Sequence, residues 1–234
     1  GAPQADGKDM NEDIVLWADA RWVSPWVLSV WIALKEKDIE FQVQELDLAA
    51  GQHRKGDYPR KTVTGKVPAL THGDVWIGES LAILEYLDEI FPDPPIFGED
   101  PVTRAQDRQV LSYLRSDFAE LRRCMPFEGI FLGGKTPAVT QEARDQCRRL
   151  LDLVEWRLAT RGKAALTMAD YELAWMLRRP IHYKGPITAA ARVYSNAIWK
   201  RPSIVSWLKQ DRSRFEDAPA APKKAAHRAK KKKR

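Results

Sequence analysis

Cysteine is scarce in this chain: of 234 residues only Cys124 and Cys147 are cysteines, and neither belongs to a Cys-x-x-Cys pair or a Cys/His cluster. That scarcity excludes a disulfide framework, a thiolate-held zinc and dithiol redox chemistry, and it points to a reduced, cytosolic compartment with no metal site. Long hydrophobic runs are also missing. No apolar stretch approaches the roughly 20 residues that a helix needs to span a bilayer, so no membrane insertion is expected. The start, Gly1-Ala2-Pro3-Gln4-Ala5-Asp6-Gly7-Lys8, lacks both an apolar signal core and an initiator Met, and it reads as a cloning remnant before a loose terminus over residues 1–12. Acidic residues disappear at the other end. Residues 223–234 hold Lys223, Lys224, Arg228, Lys230, Lys231, Lys232, Lys233 and Arg234 with no anion. Removing those eight charges from the formal +6 leaves residues 1–222 at −2, so the basic character belongs to the tail alone. The tail over 217–234 is read first as a solvated, solubilising end, and second as a contact for nucleic acid or an anionic membrane by counterion release. What remains, 44% hydrophobic and 30% charged, is the composition of an ordinary globular protein long enough for one or two domains.

The first 90 residues alternate in pattern. Ile14-Val15-Leu16-Trp17 is a short apolar run followed by Ser24-Pro25, a strong helix start. Ser24 can accept a backbone N–H as N-cap, and Pro25 suits the first helical position. Val27, Val30, Trp31 and Leu34 then follow at helical spacing, and Ile39-Glu40-Phe41-Gln42-Val43-Gln44 has the period of two expected of a half-buried strand. Strand, helix, strand within this length implies a parallel pair with a right-handed crossover. Residues 49–64 predict a short irregular helix or loop. Val67 to Thr71 and Val75 to Ile77 flank His72-Gly73-Asp74, a hairpin signal, and Leu81, Leu84, Leu87 and Ile90 share one helical face. The order βαβ-ββα is that of a thioredoxin-like domain. Phe91-Pro92-Asp93-Pro94-Pro95 reads as a linker, and every later periodic signal is helical, including Val110, Leu114, Phe118 and Leu121, then Leu150, Val154 and Leu158. Thr167 and Asp170 form a capping pair before another helix, with a structural role only. The fold expected is therefore α/β plus all-α: a thioredoxin-like domain over 13–91, a linker over 92–100 and a helical domain over 101–216.

Several fragments together resemble the soluble glutathione transferases. Ser24-Pro25-Trp26-Val27 stands where a thioredoxin-like chain carries Cys-Pro-x-Cys; Gly65-Lys66-Val67-Pro68 enters a strand; Glu79-Ser80 opens a helix twelve residues after Val67; and Gly51-Gln52-His53 is similar to the theta class. The resemblance covers residues 14–87 closely and extends to the helical remainder, and its flavour is serine-type, bacterial and theta/zeta-like. It implies that the Val67-Pro68 bond is cis, that the Val67 backbone pairs with the cysteinyl unit of glutathione, and that Glu79 and Ser80 hold the γ-glutamyl ammonium and carboxylate. Among His53, Arg54 and Lys66, any could hold the glycyl carboxylate. Ser24 is then the catalytic residue, donating to the glutathione thiolate. The magnitude is adequate: a two-unit fall from a thiol pKa near 8.5 corresponds to ~3 kcal/mol, against roughly 1.5–3 for a hydrogen bond to a charged group and up to ~2 from a helix N-terminus.

With no thiol at either end of the tetrad, the expected chemistry is attack of the glutathione thiolate on a small electrophile or on a hydroperoxide oxygen. Glutathione would be a co-substrate, no metal would be needed, and the family resemblance implies a cytoplasmic homodimer. The competing class is a non-catalytic transferase-fold interaction module whose Lys-rich tail contacts nucleic acid or another acidic partner. Trp31, Trp156 and Trp207 fit core stripes, whereas Trp22 and Trp26 border Ser24 and are candidates to line an apolar co-substrate pocket.

Overall fold

The computed structural model describes residues 13–134 and 137–213; the terminus over 1–12, the tail over 217–234 and the last three residues of the expected helical domain lie outside the described residues. In chain order the elements are β1 (Ile14–Asp19), α1 (Pro25–Glu36), β2 (Gln42–Leu46), a 3-10 turn (Gln52–Arg54), α2 (Tyr58–Lys61), β3 (Ala69–His72), β4 (Val75–Gly78) and α3 (Ser80–Ile90). Helices follow without interruption by strands among the described residues: α4 (Pro101–Ser116), α5 (Ala119–Cys124), α6 (Gly129–Leu132), α7 (Gln141–Arg161), α8 (Met168–His182), α9 (Ala189–Ile198) and α10 (Pro202–Leu208). This is the expected thioredoxin-like unit followed by a helical part.

The sheet has strand order β2-β1-β3-β4, with β1 and β2 parallel and the other pairs antiparallel. Register sorts the side chains by face. Leu16 opposes Leu70, which opposes Ile77, and these join the large core under α1 and α3. Val15 opposes Thr71, which opposes Trp76, so the other face carries Trp17 and Trp76 with Tyr58 tilted against them, ring centroids 5.0–5.4 Å from Trp17. Alternation alone produces these two faces.

β2 departs from expectation. It begins at Gln42 rather than Ile39, and its first three residues are exposed. Ile39 instead closes the end of α1, its N–H donating to Leu34 O at 3.0 Å with its side chain buried, and Phe41 packs on the Trp31 ring. An edge strand paired only to β1 has little to cover its faces, which is why its periodicity does not translate into burial. The buried face of α3 also differs: Ser80, Ile83, Leu84, Leu87 and Asp88 are inside, while Leu81 and Ile90 are only partly covered. Asp88 is there because Lys37 meets it at 2.9 Å in the interior, and Lys37 also donates to Phe91 O and Pro94 O, fixing the proline-rich stretch to the end of α1.

The capping pair is formed as expected. Asp170, fully buried, accepts from the Thr167 N–H at 3.0 Å, and its carboxylate is met by Arg157 at 2.8 Å and the Tyr194 hydroxyl at 2.8 Å. Both cysteines are free and buried within helices. Trp31 and Trp207 are core residues and Trp156 is partly buried. Trp22 is a correction: it is 3% exposed and packs edge-on against Trp31 and Trp207, so it belongs to the core rather than to a pocket wall.

Candidate functional site

β1 ends at Asp19, and the five residues after it turn into α1. The Asp19 carboxylate accepts from the Val23 N–H at 2.8 Å and the Ser24 N–H at 3.2 Å, so a single buried side chain shapes the turn. Burial pushes its pKa up to about 6, with the two N–H groups and Arg212 pulling the other way. Arg212 holds the loop from outside by donating to Trp22 O at 3.1 Å. Ser24 then caps α1, its Oγ accepting from the Val27 N–H at 3.4 Å. A capping hydroxyl is an acceptor, so its own proton is free to be donated elsewhere.

Two further elements converge beside this turn. Tyr58 donates to Lys66 O at 2.8 Å and so seats the strand entry; Val67-Pro68 follows as a cis bond, with Val67 outside the β3 ladder. Across from it Glu79 adopts φ +66°, a left-handed conformation of the kind that costs a non-glycine residue about 1–3 kcal/mol and tends to persist where function requires it. The strain turns the chain so that Ser80, 4% exposed, opens α3 with no side chain capping the helix. The first turn of α3 thus has no side-chain cap on its N–H groups, and a helix N-terminus favours negative charge.

These pieces line one cleft of ≈ 260 Å³: Lys66, Val67, Pro68, Glu79 and Ser80, together with Trp26 and, from the helical part, Arg115 and Arg122. The structure thus brings five of the sequence-derived site residues together. Ser24 and His53 are not on this wall. Ser24 stands two residues before Trp26 at the start of α1, and His53 lies on the 3-10 turn, where Arg54 Nε is 3.1 Å from its Nε2. Thr167 and Asp170 lie in the helical part as capping residues and do not line the cleft.

Arg115 and Arg122 escaped the sequence reading. Both stand beside the apolar stripe of Val110, Leu114, Phe118 and Leu121, and nothing in the spacing marks them as facing α3. Arg115 Nη2 donates to Ser80 Oγ at 3.1 Å, its guanidinium sits 4.8 Å from the Trp26 ring, and Glu172, fully buried, meets it at 2.6 Å. Arg122 donates to Leu114 O and Arg115 O at the end of α4; burial, with Arg115 nearby, holds its pKa below the usual arginine range. Asp19 was also missed, although an aspartate closing a strand five residues before Ser24-Pro25 is a readable signal. A second pocket of ≈ 170 Å³ adjoins the Ser24 turn, with Ala20, Val23, Leu48 and Ala49 as its apolar wall and Arg21 and Glu128 paired at 3.5 Å on its rim.

Chemically, the cleft offers a helix N-terminus and hydroxyl for a carboxylate, an exposed carboxylate for an ammonium, and cations on two sides. No helix among the described residues is long and apolar enough to cross a membrane.

Residues 23–90 match the family model of the glutathione S-transferase N-terminal domain. Glutathione S-transferase 1 of Dianthus caryophyllus is 37% identical over 93 residues, 40% of this chain and 42% of that protein. Glutathione S-transferase Z1 of Arabidopsis thaliana is 37% identical over 95 residues, 41% of this chain and 43% of that protein. The match thus spans less than half the length of these curated relatives. A solved glutathione transferase homolog from Burkholderia, with bound glutathione, is 30% identical and superposes with a TM-score of 0.66 over 84% of this chain and 96% of that one.

Proposed function

The chain belongs to the glutathione transferase family, and from that premise we propose that it is a glutathione transferase that binds glutathione in the 260 Å³ cleft and presents its thiolate to an electrophile. The observation that carries this reading is the convergence of Lys66, Val67, Pro68, Glu79 and Ser80 on one wall. Ser80 and the first turn of α3 take the γ-glutamyl carboxylate, Glu79 the ammonium, and the Val67 backbone the cysteinyl unit. Of the three candidates for the glycyl carboxylate, Lys66 is the one on the cleft wall; His53 and Arg54 contact each other on the neighbouring turn. Ser24 donates its free proton to the thiolate, and the apolar pocket beside its turn receives the electrophile. The sulfur lone pair forms a C–S bond to an electrophilic carbon as the bond to its leaving group breaks and that group departs with the electron pair. With a hydroperoxide the sulfur takes the distal oxygen, the O–O bond breaks, the alkoxide takes a proton and leaves as the alcohol, and a second glutathione converts the sulfenic acid to disulfide and water. Homodimer formation and a cytoplasmic location belong to the same proposal on family grounds, and light scattering reads the first.

The test is a thiolate absorbance titration of the protein–glutathione complex. The wild type should lower the thiol pKa by about two units, a differential interaction of ~3 kcal/mol. Ser24→Ala should raise it again while changing glutathione affinity by no more than a few fold. A wild-type complex that titrates like free glutathione would leave a binding module without catalysis as the better account.

A further inference from the structure

The turn that carries Ser24 is held from two sides. From within, the buried Asp19 carboxylate accepts from the Ser24 N–H through Oδ1 at 3.2 Å and from the Val23 N–H through Oδ2 at 2.8 Å. From without, Arg212, 190 positions beyond Trp22, donates to Trp22 O at 3.1 Å. We propose that Asp19 and Arg212 are positioning residues for the transfer chemistry, a clamp that fixes the Ser24 hydroxyl where it donates to the glutathione thiolate. The inference rests on the glutathione reading above and goes beyond it, because it makes thiolate activation depend on groups from both ends of the chain.

Both jaws of the clamp stand on fixed structure. Asp19 ends β1 opposite Leu46 of β2, and the Ala20 N–H donates to Leu46 O at 2.9 Å, so the carboxylate is mounted on the sheet. Arg212 donates to Leu208 O at 3.2 Å, Gln210 O at 2.9 Å and Trp207 O at 3.1 Å, all at the end of α10, and its guanidinium lies 4.6 Å from the Phe131 ring. Its charge also favours the ionised form of Asp19. Between the jaws Trp22 has φ +54°, with its ring edge-on to Trp31 and Trp207 and its Nε1 donating to Glu45 at 2.6 Å. Such a backbone persists only where its surroundings over-determine it. Ser24 Oγ has one long bond of its own, from the Val27 N–H at 3.4 Å, which alone would hold the hydroxyl loosely. Looseness matters, since a displacement of about 1 Å in a reacting group can cost about 100-fold in rate. The competing account is that the clamp stabilises the fold and leaves the chemistry of Ser24 untouched.

A thiolate absorbance titration of the glutathione complex separates the two, together with the melting temperature of each variant. Removing an anion near a thiolate lowers the thiol pKa, so Asp19→Asn would lower it if Asp19 acted by charge alone. Asparagine has one acceptor oxygen for two N–H groups, so loss of positioning should instead raise the pKa by about one unit, about tenfold less thiolate, with glutathione affinity changed little. Arg212→Lys keeps the charge but not the planar fork that joins Trp22 O to the end of α10. It should raise the thiol pKa as well, and it carries the test if Asp19→Asn does not fold. In the Ser24→Ala background neither change should move the thiol further, because the clamp acts through that hydroxyl. A thiol pKa that is unchanged or lowered in both variants, even with a lower melting temperature, overturns the assignment. So does an equal rise in the Ser24→Ala background. A wild-type complex that titrates like free glutathione overturns the catalytic reading together with this one, whereas a wild type that activates the thiol alongside variants that do so equally well overturns this one alone.

Discussion

Asp19 is the residue whose ionisation the fold works against. Its carboxylate is 2% exposed, and burial raises its pKa from the ordinary 3.8 to about 6 even though two backbone N–H groups donate to it. The folded state therefore binds this proton more tightly than the unfolded chain. Its contribution to stability is fully present below about pH 4 and is lost as pH rises through 6, a difference of about 3 kcal/mol. Asparagine has no such dependence. The stability of Asp19→Asn relative to wild type should thus increase by about 3 kcal/mol between pH 4 and pH 7.5 in urea unfolding. A difference that is flat across this range would show that Asp19 titrates normally. At neutral pH the carboxylate accepts from both Val23 and Ser24, and ionisation strengthens both hydrogen bonds that hold the Ser24 turn. Glu79 is one of several non-glycine residues with positive φ, and its left-handed backbone stands where an acidic side chain and Ser80 line one cleft.

Among the elements, α8 is anchored most heavily at its start. Asp170 accepts from the Thr167 N–H and the Tyr194 hydroxyl, and Arg157 on α7 and Arg161 are paired to it in the interior. A cap alone is worth about 1 kcal/mol, but removing one partner of a buried ion pair costs about 3–5. Asp170→Ala should lower the free energy of unfolding by about 3–5 kcal/mol in denaturant titration, while the fraction still folded binds glutathione as the wild type does. A loss near 1 kcal/mol would reduce the network to an ordinary cap. α1 has a different task. Trp31 donates to Ser203 O at 3.0 Å, and Trp175 on α8 donates to Ser29 Oγ at 3.2 Å, so α1 is shared between the sheet and the helical part. Its near-complete burial, with residues Val27 to Leu34 all inside, explains why its pattern reads as apolar all round rather than as one stripe.

For the whole molecule, charge divides the chain into a body near neutrality and a basic end. Residues 217–234 carry eight Lys and Arg residues and no Leu, Ile, Val, Phe, Trp or Met with which to pack. Truncation after Glu216 should leave the melting temperature and glutathione binding unchanged and abolish any affinity for DNA or anionic vesicles. That affinity in the full chain should fall steeply with salt. Loss of glutathione binding on truncation would instead make the tail part of the site. The order of strands and helices, the Ser24 cap, the Thr167–Asp170 pair and five residues of the cleft wall were legible in the sequence. Each depends on neighbours within a few positions, on turn chemistry or on periodicity. Asp19 was readable, as the acid that closes β1 and accepts from Val23 and Ser24 four and five positions on, whereas Arg115 was not legible as a site residue, nor was Trp22 as core. Their roles come from partners far along the chain: Arg115 meets Ser80 and Glu172, 35 and 57 positions away, and Trp22 packs on Trp207. Local pattern specifies which element a residue joins. Which face of that element meets a cleft, and whether a buried charge finds its counterpart, depends on packing between elements, and only the tertiary structure decides that.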